Sequence, residues 1–207
     1  MSSKEFFNEV ASEWDEMRAS FFSERVREKA FAVASVQPGR TAADIGAGTG
    51  FITEGLAQRG LSVVAVDQSE EMLATMKKKF AAFDSIDYRA GEAGNLPLPA
   101  GAVDYVFANM YLHHVESPPE AIAEMARILK PSGRLTVTDA DAHDYEFLRE
   151  EHHDRWLGFK REEIREWFER AGLRNVSVGG LDELCTVNSD CSSEQARITI
   201  FVASGEK

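Results

Sequence analysis

The stretch Asp44-Ile45-Gly46-Ala47-Gly48-Thr49-Gly50 closes a short apolar run and opens a helical pattern at Phe51. Glycines at alternating positions let the backbone turn sharply and approach a ligand where any Cβ would clash. The helix behind them points free N–H groups at whatever sits in the turn. The next apolar run, Leu61 to Val66, ends on Asp67. A carboxylate at that place can take both hydroxyls of a ribose. Strand, glycine turn, helix, strand and acid together predict a βαβ unit and an adenosine-containing cofactor.

The glycine spacing separates two cofactors. A dinucleotide fingerprint reads G-x-G-x-x-G and serves a pyrophosphate. Here the spacing is G-x-G-x-G, with Asp44 at its mouth. An acid there repels a pyrophosphate and suits a ligand that carries an ammonium group. S-adenosylmethionine (SAM) has an ammonium, a sulfonium and no phosphate, so SAM is expected ahead of NAD.

From about Phe6 to Asp139 the chain resembles the class I SAM-dependent methyltransferases, in particular the ubiquinone/menaquinone (type 11) group. Asp44 to Gly50 is similar to the first family motif, and Val66-Asp67-Gln68-Ser69 with Met72-Leu73 to the second. Gly91-Glu92-Ala93 with Leu96-Pro97-Leu98 resembles the segment that clasps the adenine. Val103 to Asn109 resembles the fourth strand; His113-His114-Val115 and the run Arg127 to Arg134 resemble the loop after it and the entry to strand five. Glu92 and Ser132 stand where Asp and Gly are usual. The resemblance implies a Rossmann-like α/β fold with a seven-stranded, mostly parallel sheet in the order 3-2-1-4-5-7-6, strand seven antiparallel, and helices on both faces. It also implies that the N-terminal helices pack over the substrate mouth.

The 207 residues suit one α/β domain, 1–207, with N-terminal helices in 1–38 and an acceptor-pocket segment at 140–160. No run of about 18 apolar residues exists, so no membrane span is expected. The first residues lack an apolar signal core, and two cysteines make no disulfide framework; a cytoplasmic location is expected. The formal net charge of −12 argues against a nucleic-acid partner. Lys77-Lys78-Lys79, the one dense basic run, reads as a solvated helix end.

Apolar residues recur at helical spacing over 4–18 and 23–36, after which strand and helix alternate. Strands are expected near 41–45, 62–66, 86–89, 103–108, 134–139, 173–178 and 196–203. Helices are expected near 50–59, 69–81, 118–129, 143–155 and 161–171. Alternation at this spacing predicts a sheet covered on both faces; the resemblance implies a ligand beyond the carboxyl ends of strands one and four, where the order reverses.

The expected cofactor contacts are these. Asp44 accepts from the SAM ammonium or a water. Gly46, Ala47, Gly48 and Gly50 give close backbone approach. Asp67 takes the ribose, while Gln68 and Met72 flank the adenine. Glu92 and the Ala93 N–H meet the adenine edge, and Asn109 faces the methionine end. On the acceptor side, Tyr111, His113 and His114 follow strand four, and His143 follows strand five. Any of these imidazoles is a candidate base, having an ordinary pKa near neutrality. The structural alternative is a loop cap and a solvent-exposed ring.

Residues 138–159 resemble a segment of methyltransferase domains that are often fused to ArsR-type regulators. Asp139, Asp141, His143, His152 and His153 lack a recognised ligand spacing, so the segment reads as a charged amphipathic helix and no metal is expected. Tyr145, Leu148 and Trp156 are expected toward the pocket. Cys185 and Cys191 read as reduced thiols, in a hairpin loop, rather than a soft-acceptor site. The methyl acceptor is expected to be a small molecule. In the fold that the resemblance implies, strand three is an open edge, a site for strand addition; some methyltransferases of this fold gain a small zinc-binding activator protein there, which makes such a protein a candidate partner. Three other readings stay open: a protein or RNA methyltransferase needing that activator, a SAM sensor without catalysis, and a NAD-dependent oxidoreductase.

Overall fold

The computed structural model describes residues 3–207. Seven strands form one sheet in the order β3-β2-β1-β4-β5-β7-β6. They are β1 (Thr41–Ile45), β2 (Ser62–Asp67), β3 (Ile86–Ala90), β4 (Val103–Asn109), β5 (Leu129–Ala140), β6 (Arg174–Asn188) and β7 (Gln195–Glu206). β1 to β5 pair in parallel; β7 runs antiparallel between β5 and β6. The expected order and handedness of pairing are therefore the observed ones.

Side chains alternate across each strand, and the two apolar sets face opposite ways. Ala42, Val63 and Phe107 join Phe31, Ile52, Leu56 and Met76 on one face. Ala43, Ile45, Val66 and Val106 join Ile122, Met125, Ile128 and Phe168 on the other. The first face is covered by α3 (Arg25–Ala34), α4 (Phe51–Gln58) and α5 (Glu70–Lys79), and the second by α6 (Pro118–Ile128) and α8 (Arg161–Arg170). Strand order reverses at β1, which lies between β2 and β4. Asp44 pairs with Ala65 and Phe107, so Asp67 and Asn109 project two residues beyond it at the carboxyl edge.

Three expectations are corrected. The apolar pattern of 4–18 folds as two helices, α1 (Ser3–Val10) and α2 (Trp14–Phe21), because the chain turns at Glu13, whose N–H bonds to Val10. The turn lets Phe6, Phe7 and Trp14 all face the cavity described below. The expected helix 143–155 shrinks to α7 (Phe147–Glu151). Its flanks are held by other bonds: Ala142 and His143 donate to the Phe159 and Leu157 carbonyls, and Arg155 and Trp156 donate to His113. The last hairpin is longer than expected, because β6 and β7 pair as far out as Asn188 and Gln195. Cys185 is consequently a buried strand residue, and only Cys191 lies in the connecting turn.

Candidate functional site

The carboxyl edge of the sheet opens into a cleft that encloses about 1170 Å³, open solvent at its mouth included. Its floor is the glycine turn. Gly46 and Ala47 donate to the Val66 carbonyl, which ties the turn to β2. Gly46 has φ +68°, and a Cβ there would run into the Tyr111 ring. Gly50, at φ +95°, is backed by Phe80 and Met76 and caps α4. These two positions require glycine for distinct reasons, one facing the cleft and one facing the core.

Asp44 is buried and accepts from the Thr53 N–H (2.9 Å) and hydroxyl (2.6 Å), joining the turn to the first turn of α4. Burial pushes its pKa up to about 7, against the pull of those bonds. Asp67 bridges two segments: Oδ2 accepts from Gly48 N–H and Oδ1 from Ser69 N–H, each at 2.8 Å. Burial raises its pKa as well, opposed by backbone N–H groups. The helix cap falls to Ser69, whose hydroxyl accepts from Met72 N–H.

The N-terminal helices are latched onto this floor. The Ser69 hydroxyl donates to Asn8 on α1, and the Thr49 hydroxyl donates to Asp15 on α2, which also pairs with Lys79. Phe6, Phe7, Trp14 and Phe21 thereby line the cleft as an aromatic wall, and Trp14 Nε1 lies 3.4 Å from where a Cβ on Gly48 would stand. Phe7 meets Trp14 and His114 edge-on, with ring centroids 5.2 and 4.9 Å apart.

Beyond the Tyr111 ring, which packs on Gly46, stand His113, His114, His143, Leu148, His152, Asp154 and Cys185. Asp139, fully buried, organises the near half. It accepts from Tyr111 and Leu112 N–H through Oδ2, and from Ala140 N–H through Oδ1. His113 Nδ1 lies 2.6 Å from the same Oδ1. Burial favours a neutral His113, but Asp139 and Asp154 outweigh it and hold its pKa at about 9. His114 goes the other way: burial and the charge on His113 push its pKa well below the ordinary value. Burial likewise lowers His143 and His152. It raises the Tyr111 phenol, aided by Asp67 and Glu92, and pushes the Cys185 thiol up to about 12.

Of the residues singled out by sequence, Asp44, Gly46, Ala47, Gly48, Asp67, Gln68, Met72, Asn109, Tyr111, His113, His114 and His143 line the cleft. Gly50 stands behind it. Glu92 and Ala93 do not line it: Glu92 is exposed in the turn after β3, bridged to Asn95, and Ala93 packs on the second core. Asn109 accepts from the Thr138 hydroxyl, so β5 sets its orientation. Trp156 is 41% exposed and donates its Nε1–H to the Val115 carbonyl, so it braces the wall from outside rather than facing the pocket. Sequence reasoning missed Asp154 and Arg18. Nothing in local periodicity points to either, because the fold brings both in from a distance.

The comparisons with known proteins agree with this geometry. Residues 43–137 match the family model described as a methyltransferase domain. The demethylmenaquinone methyltransferase of Renibacterium salmoninarum is 35% identical over 136 residues, covering 64% of this chain and 56% of that protein. An uncharacterized methyltransferase of Mycobacterium tuberculosis is 44% identical over 96 residues, covering 46% of this chain and 38% of that protein. The chain thus spans little more than half the length of the first of these relatives, and less of the second. Among solved structures, the YcgJ protein of Bacillus subtilis superposes with a TM-score of 0.75 at 16% identity, covering 89% of this chain and 99% of that one. A chain from the complex of the Haloferax volcanii Trm112 methyltransferase activator with a methyltransferase gives 0.76 at 21% identity, covering 97% and 96%. Sheet order, glycine turn and matched domain agree: residues 43–137 match a methyltransferase domain, set in a sheet with the Rossmann-like order of the methyltransferase structures it superposes on.

Proposed function

We propose that the chain transfers a methyl group from SAM to a small-molecule acceptor. The carrying observation is one continuous cleft that joins the Asp44–Asp67 floor to the aromatic and histidine end. Methyl transfer is an in-line displacement at carbon, so the protein mainly orients two reactants and excludes water. Asp67 would hold the ribose and Gln68 and Met72 the adenine, with Asp44 and Asn109 at the methionine end. The wall of Phe6, Phe7, Trp14 and Phe21 would cover the sulfonium and the acceptor. Relatives named demethylmenaquinone methyltransferase support a small acceptor. Two unpaired cysteines suit a reducing compartment, in keeping with a cytoplasmic enzyme. Among the described residues no helix is long and apolar enough to cross a membrane.

Tyr111 stays protonated and serves as a donor near the methyl. His113 is held charged, which disqualifies it as a base near neutral pH. His114 is neutral, and its Nδ1 is buried without a hydrogen-bond partner. With its pKa pushed well below the ordinary value, His114 is a weak base as well, so neither imidazole of the pair takes a proton readily near neutral pH.

Transfer of labelled methyl from SAM into a fractionated host extract tests the reading. Label in the small-molecule fraction is expected. Label confined to macromolecules would overturn it in favour of a protein or RNA methyltransferase. That second reading draws on the open β3 edge and on the Haloferax complex with an activator. It predicts low activity until a small activator protein covers that edge.

Asp44 carries a pH prediction. A protonated Asp44 offers the SAM ammonium no charge, so binding selects the carboxylate and releases a proton below its pKa of about 7. SAM affinity should rise with pH toward about 7, by up to roughly tenfold per unit, and fall again above about 8 as the SAM ammonium loses its own proton. Calorimetric titration at a series of pH values checks this, and a flat profile would remove Asp44 from the ammonium site.

A further inference from the structure

We infer that His113, His114 and Asp154 form a binding site for a divalent transition-metal ion at the acceptor end of the cleft. His113 Nε2 and His114 Nδ1 each lie 3.8 Å from the same oxygen, Asp154 Oδ1. The three ligand atoms all fall within 4.8 Å of one another. Ligands of a tetrahedral zinc ion stand about 3.3 Å apart, given bonds of about 2.0–2.1 Å. Closing this triangle onto an ion therefore needs shifts of an ångström or less.

The surroundings of each ligand point the same way. His113 turns its Nδ1 to Asp139 and its Nε2 to the cleft. This is the carboxylate–imidazole arrangement that fixes the tautomer of metal-bound histidines. The His114 imidazole has a backbone hydrogen bond to His153, while its Nδ1 is buried and unpartnered. That nitrogen is therefore a lone pair aimed at Asp154. Among the described residues the Asp154 carboxylate accepts no hydrogen bond, although its side chain is only 10% exposed. The His113 imidazolium 3.8 Å away balances this carboxylate while no metal is bound, and a metal ion would take the place of that proton.

The site is also held in place. The Asp154 N–H bonds to Leu148, the next two backbone N–H groups bond to His113, and Trp156 bonds to Val115. His153, at φ +58°, makes the left-handed turn that brings Asp154 inward. These bonds fasten a segment from after β5 onto the loop after β4. Two carboxylates, Asp139 and Asp154, balance a dication. Two imidazoles and one carboxylate leave coordination positions open, as in catalytic zinc and non-haem iron sites. The chemistry fits a first-row metal rather than calcium or magnesium, which take oxygen ligands.

The use of such an ion rests on the methyl-transfer reading. An acceptor hydroxyl or thiol bound to it would lose its proton more readily. That proton passes to water. The freed lone pair then forms the bond to the methyl carbon as the carbon–sulfur bond breaks, and its electron pair returns to sulfur.

The test is titration of the metal-stripped chain with Co2+, followed by visible absorption and calorimetry, with S-adenosylhomocysteine affinity measured in parallel. One equivalent of tightly bound Co2+ with low-coordinate absorption is expected. Asp154→Asn should weaken it by more than ~100-fold, beyond the ~10–100-fold lost with an outer-shell partner. His114→Gln gives the same readout should the first variant fail to fold. Three results overturn the site: no Co2+ uptake, uptake unchanged in both variants, or a thiolate charge-transfer band that Cys185→Ser abolishes. Intact S-adenosylhomocysteine binding beside absent Co2+ binding sinks the metal site alone. Absent binding of both sinks the cofactor reading as well.

Discussion

Asp139→Ala should lower the unfolding free energy by about 3–5 kcal/mol, the range for removing one partner of a buried charged pair. Asp139 is wholly inaccessible, and its two oxygens accept from the backbone N–H groups of Tyr111, Leu112 and Ala140 and face His113 Nδ1. Alanine would leave those donors buried and unpartnered, each a desolvation cost of about 1–3 kcal/mol before relaxation. The loop after β4 would loosen with them, since Tyr111 and His113 are seated by the same carboxylate. Chemical denaturation near neutral pH checks the value, with Asp144→Ala as comparison. Asp144 is exposed, so its loss should stay within about 0.5 kcal/mol. An Asp139→Ala variant as stable as the parent would mean that water satisfies these donors, and the account of the loop would fail.

Asp139 also shows where sequence reading runs out. The glycine-turn floor of the cleft was legible because its constraints are local. A glycine turn, a following helix and an acid after the next strand lie within 24 residues, Asp44 to Asp67, and backbone sterics dictate their types. Sheet order followed from alternation joined to family resemblance. The acceptor half was not legible, because its walls come from four separated segments: α1 and α2, the loop after β4, residues 143–154, and β6. The expected helix at 143–155 failed for the same reason. Its charged, amphipathic composition is compatible with a helix, but long-range bonds to Phe159 and His113 take the backbone groups that a helix would have used. Asp154 looked like one more surface acid in a run of charges. Only its clasp to His113 makes it part of the cleft. Cys185 looked like a loop residue because the outer part of β6 is mostly polar or exposed; the β7 pairing extends the strand past the apolar run.

Asp67→Ala should weaken binding of SAM and S-adenosylhomocysteine by about 1.5–3 kcal/mol, roughly ten- to more than hundredfold, through loss of charge-assisted bonds to the ribose hydroxyls. Asp67 has a second role that must be separated from this one. It already receives the Gly48 and Ser69 N–H groups, so it shapes the glycine turn whether or not a ligand is present. Alanine would relax the turn and remove the ribose partner together, and a single affinity cannot apportion the two. Comparison with a cofactor analogue lacking the ribose 2′-hydroxyl does. If Asp67 bonds that hydroxyl, the parent discriminates between the two ligands, and the Asp67→Ala variant loses most of that discrimination. If Asp67 acts only through the turn, both ligands weaken equally and discrimination survives. The first outcome is expected from position. Asp67 ends β2 beside the switch point, its carboxylate is half-buried, and Gly48 offers no side chain between it and the cleft. A variant that keeps full discrimination would move the ribose elsewhere in the cleft. The assignments of Gln68 and Met72 to the adenine would then fall with it, since both depend on the sugar being anchored at the end of β2.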